Sequence, residues 1–200
     1  KSEKETAASN LETQKKGLED QQEQAAADAD AAAKRIAEID AANRAAYESG
    51  QDTGVSSESI GADSLGDGYI GHPISGPLSV TSPFGYRVHP VTGVGTGHQG
   101  TDFAAADGTP QYAAVSGVAT YWDSASCGTG IDINAGYIDG HSYVITLCHL
   151  SGRAIADGQQ VSRGDIVGYT GSTGYATGPH VHFQVAQDGV YIDPMTLPGF

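Results

Sequence analysis

Two hundred residues with 10 Lys+Arg against 24 Asp+Glu, a net charge of −14, leave room for one compact domain of ordinary size and an appendage. Basic groups cluster nowhere, and Arg87, Arg153 and Arg163 are the whole basic complement of residues 69–200. This disfavours a nucleic-acid partner or attraction to an anionic membrane, since both need clustered Lys and Arg.

Residues 1–48 contain no proline and one glycine, Gly17, and are rich in Ala, Glu, Gln and Lys. That composition predicts a long helix. Leu11, Leu18, Ala25, Ala32, Ile39 and Ala46 recur every seven residues, joined by Ile36. The companion position reads Gln14, Gln21, Asp28, Arg35, so the second half of the seam is polar. The segment reads as a helical stalk, either a weak coiled coil or a helix lying on a partner. A partner protein or self-association through it stays open, as does a solvated stalk without specific function.

Residues 49–71 are rich in Gly, Ser and Asp and read as a linker. Residues 72–200 form a third unit. Short β-type runs alternate there with Gly, Pro, Asp and Ser, at Leu78–Ser82, Thr101–Ala104, Pro110–Ala114, Gly117–Trp122, Tyr143–His149, Ile166–Tyr169 and Val181–Ala186. The spacing predicts an all-β domain of antiparallel sheets, sandwich- or barrel-like. No run reaches the length of a transmembrane helix. With Lys1 at its start and no apolar leader, the sequence reads as a processed or excised chain.

The chemistry-bearing residues lie in that third unit. His180 and His182 share a run of strand character, so alternation sends both imidazoles to one face and Val181 to the other. His98 and Asp102 flank Gln99-Gly100-Thr101, where a turn entering a strand aims both groups at one point. His149 ends the apolar run Y-V-I-T-L-C-H. Each signal alone is weak, because a surface H-x-H pair or a strand-end histidine is commonly structural. Together, imidazoles with one carboxylate are what zinc needs when a coordination position stays open for water, and they point to a zinc hydrolase.

The stretches S-P-F-G-Y-R-V-H-P-V-T-G (82–93), H-Q-G-T-D-F-A-A-A-D-G-T-P (98–110), C-H-L-S (148–151) and G-S-T-G-Y-A-T-G-P-H-V-H-F (171–183) resemble the lysostaphin/LytM-type zinc metallopeptidases that cut peptidoglycan cross-links. The resemblance covers roughly residues 72–195 and none of 1–60. It implies His98, Asp102 and His182 as zinc ligands, and His149 and His180 as the catalytic pair. It further implies a metalloendopeptidase acting on peptidoglycan peptides, outside the cell or in the envelope. Two neighbouring readings share these residues: a non-enzymatic activator or scaffold of other cell-wall hydrolases, and a phage tail-associated lysin of the virion. A structural zinc domain fits less well, since such sites favour four ligands and cysteine.

Cys148 stands where relatives commonly carry a small residue. A bridge to Cys127 would pin the intervening loop beside the site and suit an oxidising compartment; two thiols, or thiols competing for zinc, are the alternatives. The stretch Gly128–Gly140 reads as an individual loop shaping the groove. His72, His89 and His141 read as structural or exposed, and Tyr86, Tyr112, Tyr143 and Tyr175 as core first and groove-lining second. The helix or residues 49–71 are expected to restrain activity by lying near the groove.

Overall fold

The structure is a computed structural model that describes residues 2–51, 65, 66, 68–88 and 95–200. Most of the expected linker and His89 therefore lie outside the described residues.

Helix α1 spans Ser2–Glu48. Glu3 and Glu5 sit in its first turn, where acidic groups favour the positive end of the helix dipole. Its two halves differ. Residues 3–24 are all exposed, with Leu11 67% and Leu18 40% accessible. From Ala25 onward one stripe turns inward: Ala25, Asp28, Ala29, Ala32, Arg35, Ile36, Ile39, Asp40, Asn43 and Ala46. Spacings of three and four residues place them on a single helical face. The later members of the seven-residue repeat thus turn toward the β domain. So do Asp28 and Arg35 of the polar companion row.

Thirteen strands follow among the described residues: β1 Val80–Ser82, β2 Gly85–Val88, β3 Gly95–His98, β4 Thr101–Ala104, β5 Pro110–Tyr112, β6 Gly117–Ser124, β7 Gly128–Ile138, β8 His141–Cys148, β9 Leu150–Arg153, β10 Gln159–Val161, β11 Ile166–Thr170, β12 His180–Gln187 and β13 Val190–Ile192. The large sheet runs β1-β4-β12-β8-β7-β6-β10, with β13 added beside β12; β5-β11-β9 form a second sheet and β2-β3 a hairpin. Every pairing in the large sheet is antiparallel. The antiparallel β architecture behind a long helix is as expected.

Alternation divides the large sheet into two faces. Phe103, Ile131, Ile133, Ile145, Leu147, Val181, Phe183 and Val185 point to one side and are fully buried. They share a core with Val167 and Leu150 of the second sheet. Burying each such side chain contributes about 1.5–3 kcal/mol. The opposite face carries His180, His182, Thr146, Asp132 and Asn134, and it is this face that α1 covers.

One expectation is corrected here. Residues 128–138 form an eleven-residue strand, not a loop. Ile131, Ile133 and Ala135 face the core, while Asp132 and Asn134 face α1. Asp132 accepts from Arg35 Nε at 2.5 Å and from Thr146 Oγ1 at 2.6 Å. Asn134 exchanges two amide hydrogen bonds with Asn43, at 2.8 and 2.9 Å. The polar residues that made the stretch look loop-like are the ones the helix satisfies. Around them Ile36, fully buried, packs with Val144 and Ala186 in a small cluster apart from the main core. Tyr47 stacks on Tyr137 with ring centroids 4.3 Å apart.

Candidate metal centre and cleft

Strand register assembles the centre. Asp102 of β4 is the cross-strand partner of His182 of β12, and His182 in turn pairs with Cys148 of β8. Direct cross-strand neighbours share a face, so Asp102 and His182 are side by side by construction. His98 ends β3, and the turn at Gln99-Gly100 returns the chain to Asp102. Gly100 is required by close approach: a Cβ there would lie 2.5 Å from the Phe183 carbonyl oxygen and 3.0 Å from the His182 ring.

His182 Nδ1 donates to Asp102 Oδ1 at 2.7 Å and lies 3.1 Å from His98 Nε2. His98 Nε2 is 3.2 Å from the same carboxylate oxygen. The three donor atoms fall within 4.8 Å of one another. His98 and Asp102 are 5% and 6% exposed. The outer nitrogen of His98 donates to the Pro83 carbonyl at 2.8 Å, which turns Nε2 toward the cluster. Backbone carbonyls commonly orient metal-binding imidazoles in this way. Two imidazoles and a carboxylate converging on one point fit a zinc ion with an open position.

Beside this cluster stand the other two predicted site residues. His149 and His180 have ring centroids 4.6 Å apart, and His149 lies 5.8 Å from the His182 ring. Each donates its outer nitrogen to a carbonyl: His149 Nδ1 to Thr173 O at 2.8 Å, His180 Nδ1 to Gly178 O at 2.9 Å. His180 Nε2 is 3.8 Å from Asp102 Oδ1. His149 follows the last residue of β8 with φ 62°, a left-handed conformation that costs a non-glycine residue about 1–3 kcal/mol. All five predicted residues are therefore brought into one neighbourhood.

The electrostatics separate their roles. Burial raises the Asp102 carboxyl, but hydrogen bonds from His182 and His98 outweigh it and hold the group well below the usual carboxylate range. Burial, then the neighbouring His182, pushes His149 down to about 3, against the opposing Thr173 carbonyl bond. Burial also lowers His182. These shifts favour the ionised form of Asp102 and the neutral forms of His149 and His182, and metal binding needs its ligands deprotonated.

The cleft around the centre has a volume of about 1220 Å³. It is lined by Ala25, Asp28, Ala29 and Ala32 of α1, by the segment 175–180, and by Trp122 and Ser126. The expected closeness of the helix to the groove is met by α1, whereas Trp122, Ser126 and Thr173 were not singled out from the sequence. Asp28 and Arg35 continue the polar row begun by Gln14 and Gln21, and nothing in that row alone marks the two that meet the β domain. The disulfide is formed between Cys127 and Cys148. Of the tyrosines, Tyr175 reaches the cleft, whereas Tyr143 is buried against Tyr69 and Tyr86 is 83% exposed. His72 bonds to the Gly199 carbonyl, and His141 pairs with Asp188 at the surface.

Comparison with known proteins bears on this geometry. The family model described as Peptidase family M23 matches residues 96–194. The peptidoglycan DD-endopeptidase ShyA of Vibrio cholerae is 35% identical over 135 residues, 66% of this chain and 30% of that protein. Among solved structures, a zinc-containing peptidase from Vibrio cholerae aligns with a TM-score of 0.56 and 34% identity, over 63% of this chain and 39% of that one. The catalytic domain of the antimicrobial peptidase lysostaphin from Staphylococcus simulans aligns with a TM-score of 0.50 and 32% identity, over 59% of this chain and 90% of that one. The chain spans less than a third of the length of the curated relatives it matches.

Proposed function

The chain belongs to peptidase family M23, and on that premise we propose that it is a zinc-dependent endopeptidase that hydrolyses peptide cross-links of bacterial peptidoglycan. The observation that carries the reading is the convergence of His98, Asp102 and His182 donor atoms within 4.8 Å beside the His149/His180 pair. His98, Asp102 and His182 would hold the ion. Bound there, zinc supplies a Lewis acid and makes hydroxide accessible near neutral pH. The remaining chemistry belongs to this chain's own groups. Neutral His149, with its Nδ1–H committed to Thr173, presents Nε2 as a proton acceptor. His180, with Nδ1–H committed to Gly178, presents its own Nε2 to the same space and can pass a proton to the leaving amine once charged.

The peptidase unit in this reading is residues 72–200, with 49–71 as linker. Peptidoglycan as substrate sets the working place in the cell envelope or outside the cell, and the Cys127–Cys148 bridge suits such an oxidising compartment. The exposed first half of α1 is the surface we assign to a partner protein or to self-association. Lining residues of the cleft include no Lys or Arg among the described residues, so the substrate is held by shape and hydrogen bonds, not by attraction of its carboxylates.

The test is mass spectrometry of purified peptidoglycan, of glycyl–glycine and of D-alanyl–diaminopimelate cross-link type, after incubation with the zinc-loaded chain and with a His149→Ala variant. New termini at one cross-link type, lost in the variant, establish the activity and identify the bond. Intact cross-links of both types with every form sink the enzyme reading in favour of an activator or scaffold.

A further inference from the structure

Three separate parts of the site meet on two residues of the β6–β7 turn. The Ser126 N–H donates to Asp28 Oδ2 on α1 at 2.7 Å. The Ser126 carbonyl accepts from the Tyr175 N–H at 2.8 Å, in the segment that leads through Pro179 to His180. The Cys127 carbonyl accepts from the His149 N–H at 2.8 Å, and its sulfur is bonded to Cys148, the residue before His149. The turn has no slack on its far side. A Cβ on Gly174 would lie 2.3 Å from the Gly128 nitrogen and 2.5 Å from the Ser126 carbonyl oxygen.

Asp28 differs from the other docking residues of α1. Arg35, Ile36 and Asn43 rest on β7, β8 and β12, strands already fixed by paired neighbours. Asp28 rests on a turn, whose position is set by the few bonds it makes. Its carboxylate is itself steadied by Gln24 Nε2 at 2.9 Å, and a charged acceptor makes the stronger kind of bond to a backbone N–H.

We propose that Asp28 is a positioning residue of the site: by anchoring the Ser126–Cys127 turn it fixes the backbone of His149 and of the segment running into His180, so that α1 is a working part of the catalytic face and not a tether. A turn released by Asp28 lets its Cys127 carbonyl drift from the His149 N–H, while His149 sits in a left-handed conformation that its surroundings must enforce. Small displacements of a positioned acid or base reduce turnover more than binding. The inference rests on the hydrolase reading above only for its kinetic arm.

The experiment uses the full chain with Asp28→Ala, Asp28→Asn, and Lys34→Ala as a control on the exposed side of α1. Amide hydrogen exchange is read at Ser126 and His149. In Asp28→Ala both amides are expected to exchange about tenfold faster while residues 36–46 of α1 keep their protection. Asp28→Asn, which keeps an acceptor oxygen, and Lys34→Ala stay within about threefold of the wild type. On cross-linked peptide, kcat of Asp28→Ala falls about tenfold with KM within about twofold and zinc content unchanged. An unchanged His149 amide in Asp28→Ala overturns the proposal. So does accelerated exchange with undiminished kcat, or a raised KM at constant kcat. A wild type without turnover defeats the hydrolase reading, and the exchange data still decide whether Asp28 positions His149.

Discussion

The backbone N–H of His149 donates to the carbonyl of Cys127 at 2.8 Å, and Cys127 is disulfide-bonded to the residue immediately before His149. A covalent and a hydrogen-bonded link thus bracket one peptide unit beside the centre. They help hold His149 at φ 62°. The bridge closes a sequence separation of 21 residues, and cross-linking a loop of that size removes chain entropy from the unfolded state. Replacing both cysteines by serine is expected to lower unfolding stability by about 2–4 kcal/mol in urea titrations of the oxidised protein. A loss within experimental scatter would count against a stabilising role.

Asp102 is the cross-strand neighbour of His182 and touches both metal-facing imidazoles. Asp102→Ala should remove zinc from the purified chain, measured as metal per protein after dialysis against a weak chelator. Asp102→Asn should lower affinity less, because one neutral oxygen remains. Full occupancy of Asp102→Ala would sink the ligand assignment.

Acid should destabilise the metal-free protein. His149 titrates near 6.5 when unfolded but is pushed down to about 3 by burial when folded. Between those values the unfolded state binds the extra proton, so stability rises with pH across the window, is complete above about 6.5, and is lost on acidification. Asp102, held below the ordinary 3.8, adds a loss of the same sign below that value. Each differential proton contributes a slope of at most about 1.4 kcal/mol per pH unit. Urea midpoints measured in chelator at pH 7.5, 6 and 5 are expected to fall in that order; a flat series contradicts the burial argument.

Helix docking and helix formation should respond to different residues. Ile36 is fully buried against Val144 and Ala186, whereas Leu11 is 67% exposed. Ile36→Ala should cost about 2–4 kcal/mol of docking, seen as faster exchange of α1 amides beyond residue 32. Leu11→Ala should change global stability by less than about 0.5 kcal/mol. If Leu11→Ala instead lowers an association constant in sedimentation experiments, the exposed half of α1 is a self-association surface.

Much of the site was legible because its signals are local. The side-chain period of a strand put His180 and His182 on one face regardless of what surrounds them. The H-x3-D turn carried its own glycine, and Gly100 is shown by the structure to be a steric necessity. The helix was legible from composition for the same reason, since propensity is summed residue by residue.

What the tertiary structure alone decided concerns partners distant in sequence. Strand register, not spacing, placed Asp102 opposite His182, 80 residues away. Strand β7 was hidden because Asp132 and Asn134 look like loop residues until Arg35 and Asn43 of α1 supply their hydrogen bonds. Likewise Asp28 reads as one more member of a polar row until its acceptor role at Ser126, 98 residues away, is seen. A polar side chain in a sequence states a demand for a partner. Only packing, which trades solvent for a specific donor or acceptor, states which partner meets it.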